Sequence, residues 1–208
     1  TPGLILRDSA GAIYYVKFDP PAFPELSTGA EIVAQRLLGA AGYHVPDMQV
    51  MDLALDRLVL DPRAERRNDY RQLVPMSRRQ LDGLLSNLNP TPRYRLRALL
   101  SRDTPGLSMG PFSYRGIRAD DPNDRIPHER RRSLRGLWVF AAWLNNTDVR
   151  RQNSLDTFIL VDRRRQLGYV RHFLIDFGNS LGAAGERDKY LGEGYEGEFD
   201  WGAIADRL

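Results

Sequence analysis

The chain has no cysteine and almost no lysine. Without cysteine there is no disulfide, no thiolate metal site and no cysteine nucleophile, and the redox compartment is left open. Of the 30 lysine and arginine residues only Lys17 and Lys189 are lysine, so a lysine is not the default surface cation here. The three histidines, His44, His128 and His172, are scattered without zinc-ligand spacing and read as structural. No apolar run reaches the length that spans a bilayer, and there is no internal repeat. An initiator methionine is also missing; the chain reads as a piece of a longer protein, and the sequence is silent on an export signal.

What is present is the composition of a soluble globular domain. The 208 residues are 42% hydrophobic and 27% charged, enough for one large core or two small lobes. The formal charge of +3 is modest. The run Glu129-Arg130-Arg131-Arg132-Ser133-Leu134-Arg135 has the character of a phosphate-backbone contact, which keeps a non-catalytic nucleic-acid- or protein-binding module as an alternative, but acids interrupt most basic stretches.

The hydrophobic pattern divides the chain into a small N-terminal lobe over 1–61, a middle segment over 62–119 and a larger C-terminal lobe over 120–208. A hairpin opens it: a strand over 3–7, the turn Asp8-Ser9-Ala10-Gly11, and a strand over 12–18 that carries Lys17. The spacing of Ala30, Val33, Leu37, Leu38 and Ala41 predicts a helix over 27–41, closed by Gly42. Glu31 borders its apolar stripe, where it either faces Lys17 or closes a capping box with Thr28; a start at Pro24 would free it and make Glu25 the capping acid. Further on come a strand over 49–60, a polar loop over 61–69, and a helix to Leu88 capped by Ser77 with Gln80 and ended by 89–92. Alternation at Tyr94, Leu96 and Ala98 predicts a strand running to a lobe junction at 99–101. A helix from Asp124 carries Leu134, Leu137, Trp138, Ala141, Ala142 and Leu144, with Trp138, Phe140 and Trp143 read as core. The glycine-rich 192–197 stretch reads as loop.

The chemistry concentrates after this helix. Asp148 is followed by Asn153, by two strand-like runs over 154–161 and 169–175 around the polar turn 162–166, and by Asp176-Phe177-Gly178. Pairing the two runs as an antiparallel hairpin brings its open ends, Asn153 and Asp176, side by side. A carboxylate plus an amide carbonyl suits Mg²⁺, which takes hard oxygens and completes its shell with water and phosphate. Taken singly, Asp148 reads equally as a helix N-cap, Asn153 as a turn residue and Asp-Phe-Gly as a turn; the joint spacing favours a site.

The order of Lys17 on a strand, Glu31 on a helix, Asp148 and Asn153 on a loop and Asp176-Phe177-Gly178 after a hairpin resembles the protein-kinase-like superfamily. Gly39-Ala40-Ala41-Gly42-Tyr43-His44-Val45-Pro46, and the absence of His-Arg before Asp148, are similar to the HipA-type kinases. Lys17-Phe18-Asp19-Pro20, Asp121-Pro122-Asn123-Asp124 with Pro127-His128-Glu129, and Arg171 to Gly178 resemble a group of uncharacterised bacterial proteins.

The resemblance implies an α+β, bilobal kinase-like fold, cut short at both ends, that uses ATP and Mg²⁺ to phosphorylate an unidentified hydroxyl on a protein or small molecule. It implies that Lys17 contacts phosphates, Glu31 orients Lys17, Asp148 positions or deprotonates the acceptor, and Asn153 and Asp176 hold the metal. Arg150 stands where a cation near the transferred phosphate is expected, or is a solvated arginine. A backbone seat for adenine at 99–101 and, for an ATP-dependent enzyme, a cytoplasmic location follow. The pattern departs from the family in having no visible glycine-rich phosphate loop and no Ala-Pro-Glu, so an inactive nucleotide- or partner-binding pseudokinase is the companion reading.

Overall fold

The computed structural model describes residues 3–68, 70, 72–88, 95–190 and 193. The fold is α+β: among the described residues, three α-helices combine with antiparallel sheets of four, two and three strands.

The first sheet begins with the hairpin of β1 (Gly3–Arg7) and β2 (Ile13–Lys17), in register from Gly3 opposite Lys17 to Arg7 opposite Ile13. Asp8 closes its turn by accepting the backbone N–H groups of Ala10 and Ala12, and Gly11 supplies the φ of 88° that an L-side chain resists. Helix α1 (Leu26–Ala40) follows, then β3 (Met48–Ala54). The sheet is completed out of sequence order by β6 (Arg95–Arg102), which runs between β2 and β3 with Leu99 opposite both Lys17 and Val50. Successive side chains in β2 and β6 point to opposite faces. Leu99 joins Met48, Ala34 and Leu38 against α1, whereas Val16, Phe18, Ala98 and Leu100 pack with Leu88 of α2 (Arg78–Leu88). The sheet is thus covered on both faces, and Lys17 lies on the α1 face.

The core under α1 does not stop at this sheet. It continues through Phe112, Leu137 and Leu144, the latter two on or just after α3 (Arg132–Trp143), to Leu174 and Phe177. Leu174 ends β9 (Leu167–Leu174), the partner of β8 (Ser154–Asp162), and β7 (Leu107–Gly110) completes this second sheet on the free edge of β8. Burying a leucine in such a core is worth about 2 kcal/mol.

Several sequence expectations shift for identifiable reasons. The strand expected over 49–60 ends at Ala54 in a 3-10 turn, Leu55–Arg57, and Val59 is exposed. The polar loop over 61–69 contains β4 (Glu65–Arg67), which pairs with β5 (Leu73–Pro75); three-residue strands of charged residues carry little apolar alternation to betray them. The helix expected from Asp124 starts at Arg132, because Pro127 biases Ile126 away from helical torsions and the Asp124 carboxylate is taken by Arg118, His128 and Arg131. Trp143, read as core, is exposed at the end of α3 beside Phe140. Ser77 and Gln80 form the reciprocal cap foreseen for α2. The stop at 89–92, Tyr94 and the 192–197 stretch lie largely or wholly outside the described residues.

Helix α1 begins without help from its own flanks. Glu25, at the N-cap, has a left-handed φ of 67° and makes no side-chain cap bond. Asp19, just past β2, performs the task from a distance: its carboxylate accepts the backbone N–H of Thr28 at 2.8 Å and the Thr28 hydroxyl at 2.5 Å, and pairs with Arg97 of β6 at 2.9 Å. Asp19→Ala is expected to destabilise the chain by about 2 kcal/mol in urea unfolding, the combined effect of a lost cap and a lost charge-assisted bond; a change within about 0.5 kcal/mol would contradict this role.

Candidate active site

Lys17 is the convergence point of three distant segments. Its Nζ donates to both oxygens of Glu31, at 2.9 and 2.8 Å, and to Oδ1 of Asp176 at 2.8 Å. The local sequence explains each arm. Lys17 alternates with buried Val16 and Phe18, which turns it toward α1; Glu31 lies one helical turn beyond Ser27 and Thr28 on the buried face of α1; Asp176 follows β9 directly. With Thr28 engaged by Asp19, the capping box that competed for Glu31 does not form, and neither does a cap by Glu25.

Glu31 is 1% exposed, Lys17 27% and Asp176 47%, so the triplet grades from core to surface. Burial works against the Lys17 charge, yet Glu31 and then Asp176 outweigh it and hold the ammonium above its ordinary value. Burial likewise pushes the Glu31 carboxyl up, against the pull of Lys17. The two carboxylates thus favour the charged form of Lys17.

The hairpin of β8 and β9 closes as the sequence pattern requires. Ser154 stands opposite Leu174, and beyond that pair the Ile175 N–H donates to the Asn153 carbonyl at 3.1 Å, which sets Asn153 against the residue preceding Asp176. Asp176 itself has a left-handed φ of 62°, a conformation that aspartate tolerates better than most residues. Gly178 allows α1 to come close: a Cβ there would lie 2.7 Å from Ser27 Oγ and 3.4 Å from Glu31 Oε2.

Asn153 is buried, and its Nδ2 donates to the Asp148 carbonyl at 2.8 Å. Its Oδ1 has no hydrogen bond among the described residues, nor has Asp176 Oδ2. By donor type, an amide carbonyl and a carboxylate oxygen are ligands of the kind magnesium takes, an ion that commonly uses only one or two protein ligands and fills its shell with water and phosphate. A conventional all-protein cage is not on offer: among the described residues there is no group of three or more His, Cys, Asp and Glu side chains placed to hold a metal.

Asp148 is anchored on all sides. Its backbone N–H donates to Asn146 Oδ1 at 3.0 Å; Arg150 Nε lies 2.8 Å from its Oδ1, and Asn179 Nδ2 donates to its Oδ2 at 2.9 Å. Arg150 thus sits beside the Asp148 carboxylate while remaining largely exposed. Asn146 and Asn179 escaped the sequence reading; their only signal was adjacency to Asp148 and to Asp-Phe-Gly.

The expected adenine seat at 99–101 is not open. Those residues are in the middle of the four-stranded sheet, paired with β2 on one side and β3 on the other, so their backbone groups are consumed. The chain leaves that sheet one step later, at 103–106, before β7 joins the other sheet. The histidines each have a side-chain neighbour: His128 bonds Asp124 at 2.7 Å, His172 bonds Asp156 at 2.5 Å, and the His44 ring lies 5.8 Å from that of Phe173, tilted by 46°.

The raised Lys17 value makes a stability prediction. Its stabilisation is full below the unfolded value of 10.5 and is lost as the pH rises through the higher folded one. Lys17→Met, which strands buried Glu31, is expected to lower stability by about 3 kcal/mol at neutral pH; in urea titrations the gap to wild type narrows in acid, where the stranded Glu31 takes up a proton, and on the alkaline side only above pH 10.5. A gap that closes between pH 7 and 9 would contradict the geometry.

Comparisons of the chain with protein-family models, with curated proteins and with solved structures found no match.

Proposed function

We propose that the chain is an ATP- and Mg²⁺-dependent phosphotransferase of protein-kinase-like, HipA-like type with two lobes, acting on a hydroxyl group. The observation that carries this reading is the Lys17 ammonium bound at once to Glu31 and to Asp176, 159 residues away, with Asn153 hydrogen-bonded beside Asp176. A lone buried salt bridge is weak support for any function. Here, though, the outer partner is half-exposed Asp176, which leaves the ammonium able to exchange a carboxylate for a phosphate oxygen.

In this reading Lys17 binds the phosphates of ATP and Glu31 fixes its direction from the core. Asn153 and Asp176 would hold the magnesium ion, which supplies neutralisation of the phosphate charge. Asp148, steadied by Arg150 and Asn179, meets the acceptor hydroxyl: the hydroxyl oxygen forms a bond to the γ-phosphorus, the bond to the ADP oxygen breaks, and the hydroxyl proton passes to the Asp148 carboxylate. Positioning and charge neutralisation account for most of the acceleration in such a transfer, so the ligating residues matter more than any nucleophile of the protein.

Thermal unfolding with saturating ATP and Mg²⁺ tests the reading. At a ligand excess of about a hundredfold over Kd, binding adds roughly 2.7 kcal/mol, which raises Tm by several degrees for a chain of this size. The rise is expected to vanish without metal and in Asp176→Ala. A rise that ignores both would point to adventitious nucleotide binding, no rise at all would remove the proposal, and a rise without transfer to any acceptor would favour the pseudokinase reading.

A further inference from the structure

The second of the chain's two lysines stands behind the same site. Lys189 is 3% exposed, and its Nζ donates to the backbone carbonyls of Asn145 and, at 3.1 Å, of Asn179. The segment that carries it is itself tied down: the Lys189 N–H donates to the Gly182 carbonyl at 2.8 Å, Ala183 bridges to Asp188, and the Leu181 N–H reaches back to Leu144 at 2.8 Å. Among the described residues both hydrogen bonds of the ammonium go to carbonyls, and burial drives it down to about 8, with Glu193 only partly opposing.

A buried cation whose hydrogen bonds among the described residues go to carbonyls is a costly way to fill space, and an apolar side chain would do it more cheaply. The arginines used elsewhere in the chain present a planar fork; an ammonium is a compact donor that can reach two carbonyls from two segments at once. The two carbonyls are informative. Asn145, with a left-handed φ of 47°, opens the turn that leads to Asp148. Asn179 follows Gly178, and its side-chain amide is the one that holds Asp148 Oδ2 at 2.9 Å, while its carbonyl also takes the Thr147 N–H at 3.4 Å.

We propose that Lys189 is a positioning residue for Asp148: by pinning the carbonyls of Asn145 and Asn179 together it aims the Asn179 carboxamide at the Asp148 carboxylate that meets the acceptor. The catalytic part of this inference rests on the phosphotransfer reading; the aiming of Asn179 does not. Without the ammonium, two carbonyls lose their shared donor, the stretch after Gly178 is free to shift, and Oδ2 of Asp148 is left to Arg150. Lys17, Glu31, Asn153 and Asp176 are not touched by Lys189, so nucleotide binding should survive its loss.

The experiment has two arms on the full chain. In the first, nuclear magnetic resonance at fixed pH follows the Asn179 side-chain amide, assigned with Asn179→Ser, and the chemical shift of the Asp148 carboxyl carbon. Lys189→Met is expected to move the Asn179 amide toward the position of a solvent-exposed amide and to change the Asp148 carboxyl shift. In the second, with Mg-ATP and water or the chain's own hydroxyls as acceptor, Lys189→Met and Asn179→Ala are each expected to lower kcat by about tenfold or more with KM for ATP within about twofold, and the double variant to be no worse than either. Should Lys189→Met not fold, Lys189→Gln repeats both comparisons with a neutral donor of similar length. A wild-type chain that neither binds nor turns over ATP removes the phosphotransfer reading and leaves the first arm to decide the aiming. An unchanged Asn179 amide and Asp148 carboxyl shift, or lowered Tm with kcat and KM intact in an active enzyme, would overturn the proposal.

Discussion

The ammonium of Lys17 ties the molecule together. A strand supplies it, a helix and the segment after a hairpin each bring it a carboxylate, and the buried Glu31 carboxylate depends on it for a counter-charge. Removing Lys17 would leave a carboxylate at 1% exposure with no counter-charge, which is among the more damaging single changes a fold can suffer. The same geometry keeps Asp176 at the rim, half in water, where its second oxygen remains available. The interaction that secures the fold is therefore also the one that presents a functional group.

Around it the structure follows a repeated device, in which a side chain from one segment satisfies the backbone of another. Asp19 caps α1 from beyond β2, Asn153 holds the carbonyl of Asp148, Asn146 holds its N–H, and Lys189 clasps two carbonyls from opposite sides of the Asp148 turn. Loops carry backbone groups that no ladder satisfies, and when such loops are buried those groups need partners. Fixing them with side chains holds the Asp148 carboxylate in place, the preorganisation that the proposed transfer would require.

A buried polar network built on Asp156 of β8 and on Asp124 is the counterpart of this arrangement. Asp156, fully buried, joins Arg118 to His172, while Asp124 joins Arg118, His128 and Arg131. Each carboxylate is paired with a cation or an imidazole, as buried charge requires. This network stops the helix expected from Asp124 and frames the long, irregular stretch between β7 and α3.

The amino-acid sequence alone determined the local elements wherever periodicity is strong and a turn is marked: the opening hairpin with its Asp8 to Gly11 turn, the body of α1, the capping box of α2, and the β8–β9 hairpin whose open ends had to bring Asn153 to Asp176. Those features are written in nearest-neighbour geometry, a period of two or of 3.6 and a turn residue. Tertiary structure decided what depends on competition between distant groups. Whether Glu31 caps its own helix or meets Lys17 turned on Asp19 occupying Thr28 first. That 99–101 has no free backbone follows from β6 inserting between β2 and β3, an order no local pattern encodes. The roles of Asn179 and Lys189 were invisible for the same reason: an amide and an amine become specific only once the fold has aimed them at one carboxylate and two carbonyls.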